Sequence, residues 1–141
     1  MNTRMKLNGK TIPLPTDQRY ALNLYFTDYF PGTTRWRMSL KLAYADGLPF
    51  SAPHKELEAN PFRAPAYKRA DIGMSYRLLD NSDGSRNTIF KNIWLGIDCL
   101  NLFGINNVNS YYWVTDIAGQ QYAVPNYLTG RQINGRVTID F

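Results

Sequence analysis

The last eleven residues, Arg131–Phe141, read Arg-Gln-Ile-Asn-Gly-Arg-Val-Thr-Ile-Asp-Phe. In an extended chain Ile133, Val137, Ile139 and Phe141 fall on one face, with Gly135 as a gap in the row. Gln132, Asn134, Arg136, Thr138 and Asp140 fall on the other. Successive side chains of a strand point to opposite faces, so this segment has one apolar and one polar side. That strict alternation is the strongest constraint on what the chain can fold into. Alone, it suits a soluble sheet as well as a sheet that meets lipid.

The same period recurs upstream. In Arg19–Phe30, Tyr20, Leu22, Leu24 and Phe26 share a face. Phe30-Pro31-Gly32-Thr33-Thr34 then supplies turn residues. Arg35–Ala45 alternates without a slip: Trp36, Met38, Leu40, Leu42 and Tyr44 face one way, and Arg35, Arg37, Ser39 and Lys41 the other. A helical period would scatter this apolar set around the cylinder. Tyr67–Leu78 places Ile72, Met74, Tyr76 and Leu78 opposite Arg69, Asp71, Gly73 and Arg77. Ile93–Phe103 sets Ile93, Leu95, Ile97 and Cys99 against Trp94, Gly96 and Asp98. Tyr111–Thr115 and Gln121–Val124 flank Asp116–Gln120 as a small hairpin beyond the main sheet, and Pro125–Gly130 leads into the final strand.

Between these strands lie unequal connections. Asp46–Ala66 carries Pro49, Pro53, Pro61 and Pro65, and loops of this length are usually functional or external. Residues 1–18, with Gly9, Pro13 and Pro15, show no sustained period and read as an extracellular loop with a short extended piece around Met5–Ile12. If Phe141 lies on the periplasmic side, counting strands backwards puts the Pro31-Gly32 and Asp80–Asn92 turns on that side too. Asp46–Ala66 and Gly104–Gly130 then fall outside. Short turns inside and long loops outside are the rule for outer-membrane barrels.

Composition narrows the function classes. No apolar run approaches the ~18 residues of a spanning helix, and the opening ten residues lack the apolar core of a signal peptide. The chain is therefore expected either to stay in the cytoplasm or to be part of something longer. Cys99 is the only cysteine, which excludes an internal disulfide and a cysteine-based zinc site. Net charge is +5, yet Lys and Arg are scattered singly rather than clustered for nucleic acid. Aromatic residues make up 14% of a chain whose mean hydropathy is -0.40. That pairing fits a barrel, which is apolar on one face only.

No catalytic constellation can be assembled. His54, with Glu56 and Glu58, could make a loop metal site, but the spacing is not that of a helical zinc motif. Asp80–Gly84 lacks the alternate acidic residues of a calcium loop. Cys99 belongs to the apolar face and is most simply a small apolar side chain. The polar face carries Arg19, Arg35, Arg37, Lys41, Arg69, Arg77 and Arg136 beside Asp71, Asp98 and Asp140, charges that a hydrated or filled lumen would solvate or pair. Tyr111, Tyr112, Trp113, Tyr122 and Tyr127 could stack on an external ligand or pack their own loop.

Leu95-Gly96-Ile97-Asp98-Cys99-Leu100-Asn101-Leu102-Phe103 resembles the penultimate strand of TonB-dependent outer-membrane receptors. Tyr111–Val114, Tyr122–Arg131 and the terminal Phe141 resemble the end of the SusC-like and carboxypeptidase-regulatory-like nutrient-receptor branches. Arg69–Tyr76 fits the strand before them. The resemblance implies import of a scarce nutrient (an oligosaccharide, peptide or siderophore) across a Gram-negative outer membrane, driven by TonB and the inner-membrane proton gradient. It implies a plug and a barrel of roughly 22 strands with a filled lumen. Residues 19–141 would supply the C-terminal portion, about five spanning strands at a typical ~10 residues each, plus the external hairpin. Its implied partners are outer-membrane lipid, the N-terminal barrel and plug, TonB acting through those parts, a surface lipoprotein, and the barrel-assembly machinery. That machinery would read Val137, Ile139 and Phe141 as an insertion signal. Neither a cofactor nor an enzymatic activity is implied. The competing expectation is a soluble or self-assembling all-β binding module that uses its exposed aromatics.

Overall fold

Strands account for all the regular secondary structure described. The computed structural model describes residues 3–7, 9–51, 62–81 and 89–141, and among these there is no helix. The strands are β1 (Arg4–Leu7), β2 (Lys10–Pro13), β3 (Ala21–Tyr29), β4 (Trp36–Ala45), β5 (Pro49–Phe50), β6 (Phe62–Arg63), β7 (Tyr67–Asp80), β8 (Asn92–Leu100), β9 (Val108–Thr115), β10 (Gln121–Tyr127) and β11 (Gln132–Asp140). A five-stranded sheet has the order β11-β8-β7-β4-β3, and β1-β2, β9-β10 and β5-β6 form two-stranded sheets. Pairing is antiparallel, as short turns between consecutive strands require. The five-stranded sheet is open, with β3 and β11 as its edges, and the described residues form no closed barrel.

The chain divides into two compact units. One comprises Asn23–Leu42, Arg69–Ile105 and Gly130–Phe141 and carries the body of the five-stranded sheet. The other comprises Met1–Leu22, Ala43–Lys68 and Asn106–Thr129 and carries the small hairpins.

Register in the sheet puts like with like. Across β7, β8 and β11 the rows Ile72–Cys99–Ile133, Met74–Ile97–Gly135 and Tyr76–Leu95–Val137 lie on one face. Gly73–Asp98–Asn134, Ser75–Gly96–Arg136 and Arg77–Trp94–Thr138 lie on the other. A one-residue slip would exchange these faces, so the alternating sequence excludes odd-numbered shifts of register. The apolar face is uncovered: Ile97 is 54% exposed, Val137 63% and Ile133 67%. Among the described residues the buried apolar side chains include Ile12, Pro49, Ala64 and Ala70, and the largest fully buried side chain is Asp17. A soluble domain normally buries its Ile, Leu, Val and Phe; here they line the outside of a sheet.

Several boundaries differ from the sequence reading. β1 and β2 pair as two antiparallel strands, where the sequence reading has a loop with one extended piece. Met5 pairs with Ile12, and Gly9 at φ 80° turns the chain, a conformation that costs glycine little. The β7 alternation slips between Arg77 and Leu79, so Leu79 rather than Leu78 meets Ile93, and Leu78 stands out as a bulge residue, 58% exposed. The fourth long strand ends at Leu100, not Phe103. There Asn101 adopts φ 51°, its amide oxygen accepts from the Ile105 N–H, and its amide nitrogen donates to the Ile105 carbonyl. Asparagine tolerates this left-handed conformation because its side chain closes such turns. Strand β10 runs on through Pro125 to Tyr127, since an edge strand can accommodate proline.

Candidate functional site

With no helix among the described residues, functional chemistry there must come from sheet faces and loops. The first candidate surface is the polar face of the five-stranded sheet. The Arg77 N–H donates to the Arg35 carbonyl (2.8 Å), which sets Arg37 level with Ser75 across the β4–β7 pair. One row therefore reads Arg37, Ser75, Gly96, Arg136 across four strands. The next contains Arg35, Arg77, Trp94 and Thr138. The Arg37 and Arg77 guanidiniums both lie over the Trp94 indole, at 5.2 Å and 5.4 Å from its ring centroid. A cation over an indole face is attracted by the ring quadrupole.

Arg77 also bonds Thr34 Oγ1 and Asp80 Oδ2, each at 2.9 Å, and its Nε is buried with no hydrogen-bond partner. Arg136 Nη2 is 3.3 Å from Ser75 Oγ and 3.7 Å from Asp98 Oδ1. Arg69 Nε pairs with Asp71 at 2.7 Å, and Asp71 also accepts from the Asn101 N–H at 2.8 Å. Lys41 and Arg35 are exposed. A groove of about 210 Å³ opens where Arg37, Ser75, Gly96 and Arg136 meet Trp94, Thr138 and Asp140.

The second cluster lies in the other unit and was not legible in the sequence. Asp17, fully buried, accepts from the Thr3 N–H at 2.9 Å and from Arg63 Nη2. Arg63 Nη1 bridges to Asp46 Oδ2 at 3.1 Å and to the Gly47 carbonyl at 3.0 Å. Arg19 meets Asp46 with two bonds, at 2.5 Å and 2.9 Å. The Arg19 hydrogen bonds pull the Asp46 carboxyl down to about 2 against the opposing effect of burial, with the Arg63 charge adding to them. Burial raises the Asp17 carboxyl, but the Arg63 and Thr3 hydrogen bonds outweigh it and hold the pKa below the ordinary value. These ion pairs tie residues from three sequence segments into one unit. Arg19, read from sequence as a polar-face charge that would be solvated or paired, is paired with Asp46 in this network.

The aromatic residues of β9 and β10 separate into two sets. Tyr111 and Trp113 pack with Phe50 and Phe62: the Phe50–Tyr111, Phe62–Tyr111 and Phe62–Trp113 ring centroids are 5.1, 5.2 and 6.0 Å apart, all edge to face. On the opposite face of the β9–β10 hairpin, Tyr112 pairs with Val124 and Val114 with Tyr122, with Tyr112 62% and Tyr122 51% exposed. Tyr127 sits at the register shift ending β10. Phe50 and Phe62 joined the cluster unannounced, because two-residue strands among prolines leave no period to read. An apolar hollow of about 420 Å³ borders Ile12, Leu48 and Phe50 in the same unit.

Cys99 lies on the apolar face between Ile72 and Ile133. Val137 and Ile139 lie on that face of β11, opposite Leu95 and Ile93, and the Phe141 ring is 5.6 Å from Phe90. His54, Glu56 and Glu58, and residues 82–84 of the Asp80–Gly84 turn, lie outside the described residues. Among the described residues no group of three or more His, Cys, Asp or Glu side chains could hold a metal ion, and no helix is long and apolar enough to cross a membrane. Comparison with protein-family models, with curated proteins and with solved structures finds no match to this chain.

Proposed function

We propose that the five-stranded sheet is a stretch of outer-membrane β-barrel wall, its apolar face toward lipid and its polar face toward the interior. In this reading the chain serves nutrient import as the C-terminal part of a TonB-dependent receptor, with plug, TonB and the remaining wall contributed by other segments. The observation that carries it is the register. Apolar rows run across β7, β8 and β11, interrupted at Gly135, while staying 40% exposed at Ile72, 54% at Ile97 and 67% at Ile133, and the reverse face is arginine-rich. An uncovered apolar face of that extent is an interaction surface, not an ordinary water-facing one.

Aromatic placement supports the same reading. Strand β4 starts on Trp36 and reaches Tyr44 eight residues later, about 27 Å along a strand. Tilted by ~40°, that subtends ~20 Å of a ~25 Å apolar band. Trp36 packs on Tyr76 (4.6 Å) and Tyr44 stacks on Tyr20 (5.7 Å), as girdle residues at the two interfaces would. The two open edges fit a segment whose neighbours are further strands.

The test is fractionation. In its native host the polypeptide carrying this sequence should sediment with outer membranes and show heat-modifiable mobility, and the upstream reading frame should encode a plug and TonB box. Purified without detergent, the 141-residue chain should associate. A monodisperse monomer that unfolds cooperatively in water would refute the proposal and leave the soluble binding module.

A further inference from the structure

Four residues make a shape in the polar face that wall solvation does not require. The row Arg37–Ser75–Gly96–Arg136 places two small side chains between two long cationic ones. The flanking strands are about 14 Å apart at the backbone, three inter-strand spacings, and the arginines lean over the gap. Gly96 is what allows this on one side. A Cβ added there would meet Arg136 Nε and Nη2 at 3.3 Å and Ser75 Oγ at 3.1 Å, so the guanidinium lies across a position a side chain would fill. On the other side the Trp94 indole holds the Arg37 guanidinium at 5.2 Å.

Both guanidiniums lack a well-formed carboxylate partner among the described residues. Arg37 makes no ion pair there, and Arg136 reaches Asp98 only at 3.7 Å and Ser75 at 3.3 Å, both beyond good hydrogen-bond length. Arg69 and Arg77, by contrast, have carboxylates at 2.7 Å and 2.9 Å. Asp140, at the end of the groove, is the one acidic residue lining it, against two arginines.

We propose that this notch binds a carboxylate. The planar guanidinium forks of Arg37 and Arg136 would take it from two sides, since a fork matches a carboxylate with paired N–H donors. The hydroxyls of Ser75 and Thr138 complete the polar lining. The groove of about 210 Å³ holds the equivalent of about seven waters, enough for a small dicarboxylate. The site needs only the folded sheet, so it goes beyond the barrel reading and can fail separately from it.

The probe is succinate. The full chain is folded in dodecyl maltoside micelles, a neutral detergent without an anion of its own. Succinate is then titrated against sodium chloride at matched ionic strength and read by tryptophan fluorescence and calorimetry. Binding should be saturable. Arg37→Gln and Arg136→Gln should each weaken it by about tenfold or more. Lys41→Gln, exposed on the same face outside the notch, should change it by less than about twofold. Trp94→Phe should abolish most of the fluorescence response and also weaken calorimetric binding, because the smaller ring holds the Arg37 guanidinium less well. Far-UV circular dichroism verifies the sheet in each variant, and both arginine changes leave the backbone pairing untouched. A response no different from chloride overturns the proposal, as does equal weakening by Lys41→Gln and the arginine variants. So does binding of inorganic phosphate with the same arginine dependence when succinate fails. Loss of succinate binding in a chain that still inserts into lipid would count against the notch alone.

Discussion

Ile97→Arg and Asn134→Arg form a matched pair that asks which face of the sheet meets lipid. Ile97 lies between Met74 and Gly135 in the middle of the apolar rows and is 54% exposed. Asn134 lies directly opposite Asp98 on the polar face. If the apolar face contacts lipid, arginine at 97 stands near the bilayer midplane and costs ~2–4 kcal/mol. That is about a 30-fold to 900-fold fall in the folded-to-unfolded ratio. In water the same change exchanges a half-exposed side chain for a solvated cation and stays within ~0.5 kcal/mol. Arginine at 134 gains an opposite charge across the strand and should be neutral or stabilising by ~0.2–1 kcal/mol. Depth adds an internal control. Ile139 faces Ile93 near the end of β11, where an interfacial arginine costs only ~0–1 kcal/mol. The assay is urea unfolding of the full chain in neutral-lipid vesicles, followed by tryptophan fluorescence and far-UV circular dichroism. The losses should rank Ile97→Arg, then Ile139→Arg, then Asn134→Arg. Equal losses at 97 and 134, or no gradient between 97 and 139, would refute the lipid-facing assignment.

The remaining predictions concern the loops and the chain end. The Asp46 pKa lies below its ordinary 3.8, at about 2, and Asp17 shifts the same way. Their contribution is therefore complete above the unfolded value and is lost as pH falls toward about 2. Protection of the Ala64 N–H, which donates to the Leu48 carbonyl at 3.0 Å, should fall across that window, and unchanged protection at about pH 2 would contradict this. Gly47→Ala drives a Cβ into the Ala64 backbone carbonyl and should cost at least ~1–3 kcal/mol by overpacking. Gly135→Ala meets nothing within 4 Å and should be mild, with thermal unfolding as the comparison. Asn101→Ala removes the two bonds to Ile105 at φ 51°. It should lower stability by about 1–3 kcal/mol, and Asn101→Gly by less. Deleting Phe141, which is 71% exposed, removes well under the ~1.5–3 kcal/mol of a buried phenylalanine. Insertion into outer membranes should nevertheless drop far more than detergent refolding does, and normal insertion would make Phe141 merely the end of a strand.

The sequence by itself determined the strands and their faces. Alternation has a period that only an extended chain satisfies, and a one-residue slip of β8 would turn Ile97 toward the arginine face. That Tyr76, Leu95 and Val137 are apolar-face residues therefore follows from the pattern, while their lying opposite one another is set by the sheet. The turn at Pro31-Gly32 was legible for the same local reason. Tertiary structure decided what has no period. The bulge at Leu78 depends on how β7 meets β8, and the stop at Leu100 depends on Asn101 finding Ile105. Arg63, between prolines, gave no sign that it would join Asp17 and Asp46, because a salt bridge between distant segments is set by where the backbone brings them. The notch at Ser75 and Gly96 is of the same kind. Each arginine was visible as a polar-face charge, but that two of them flank two small residues emerges only when four strands lie side by side.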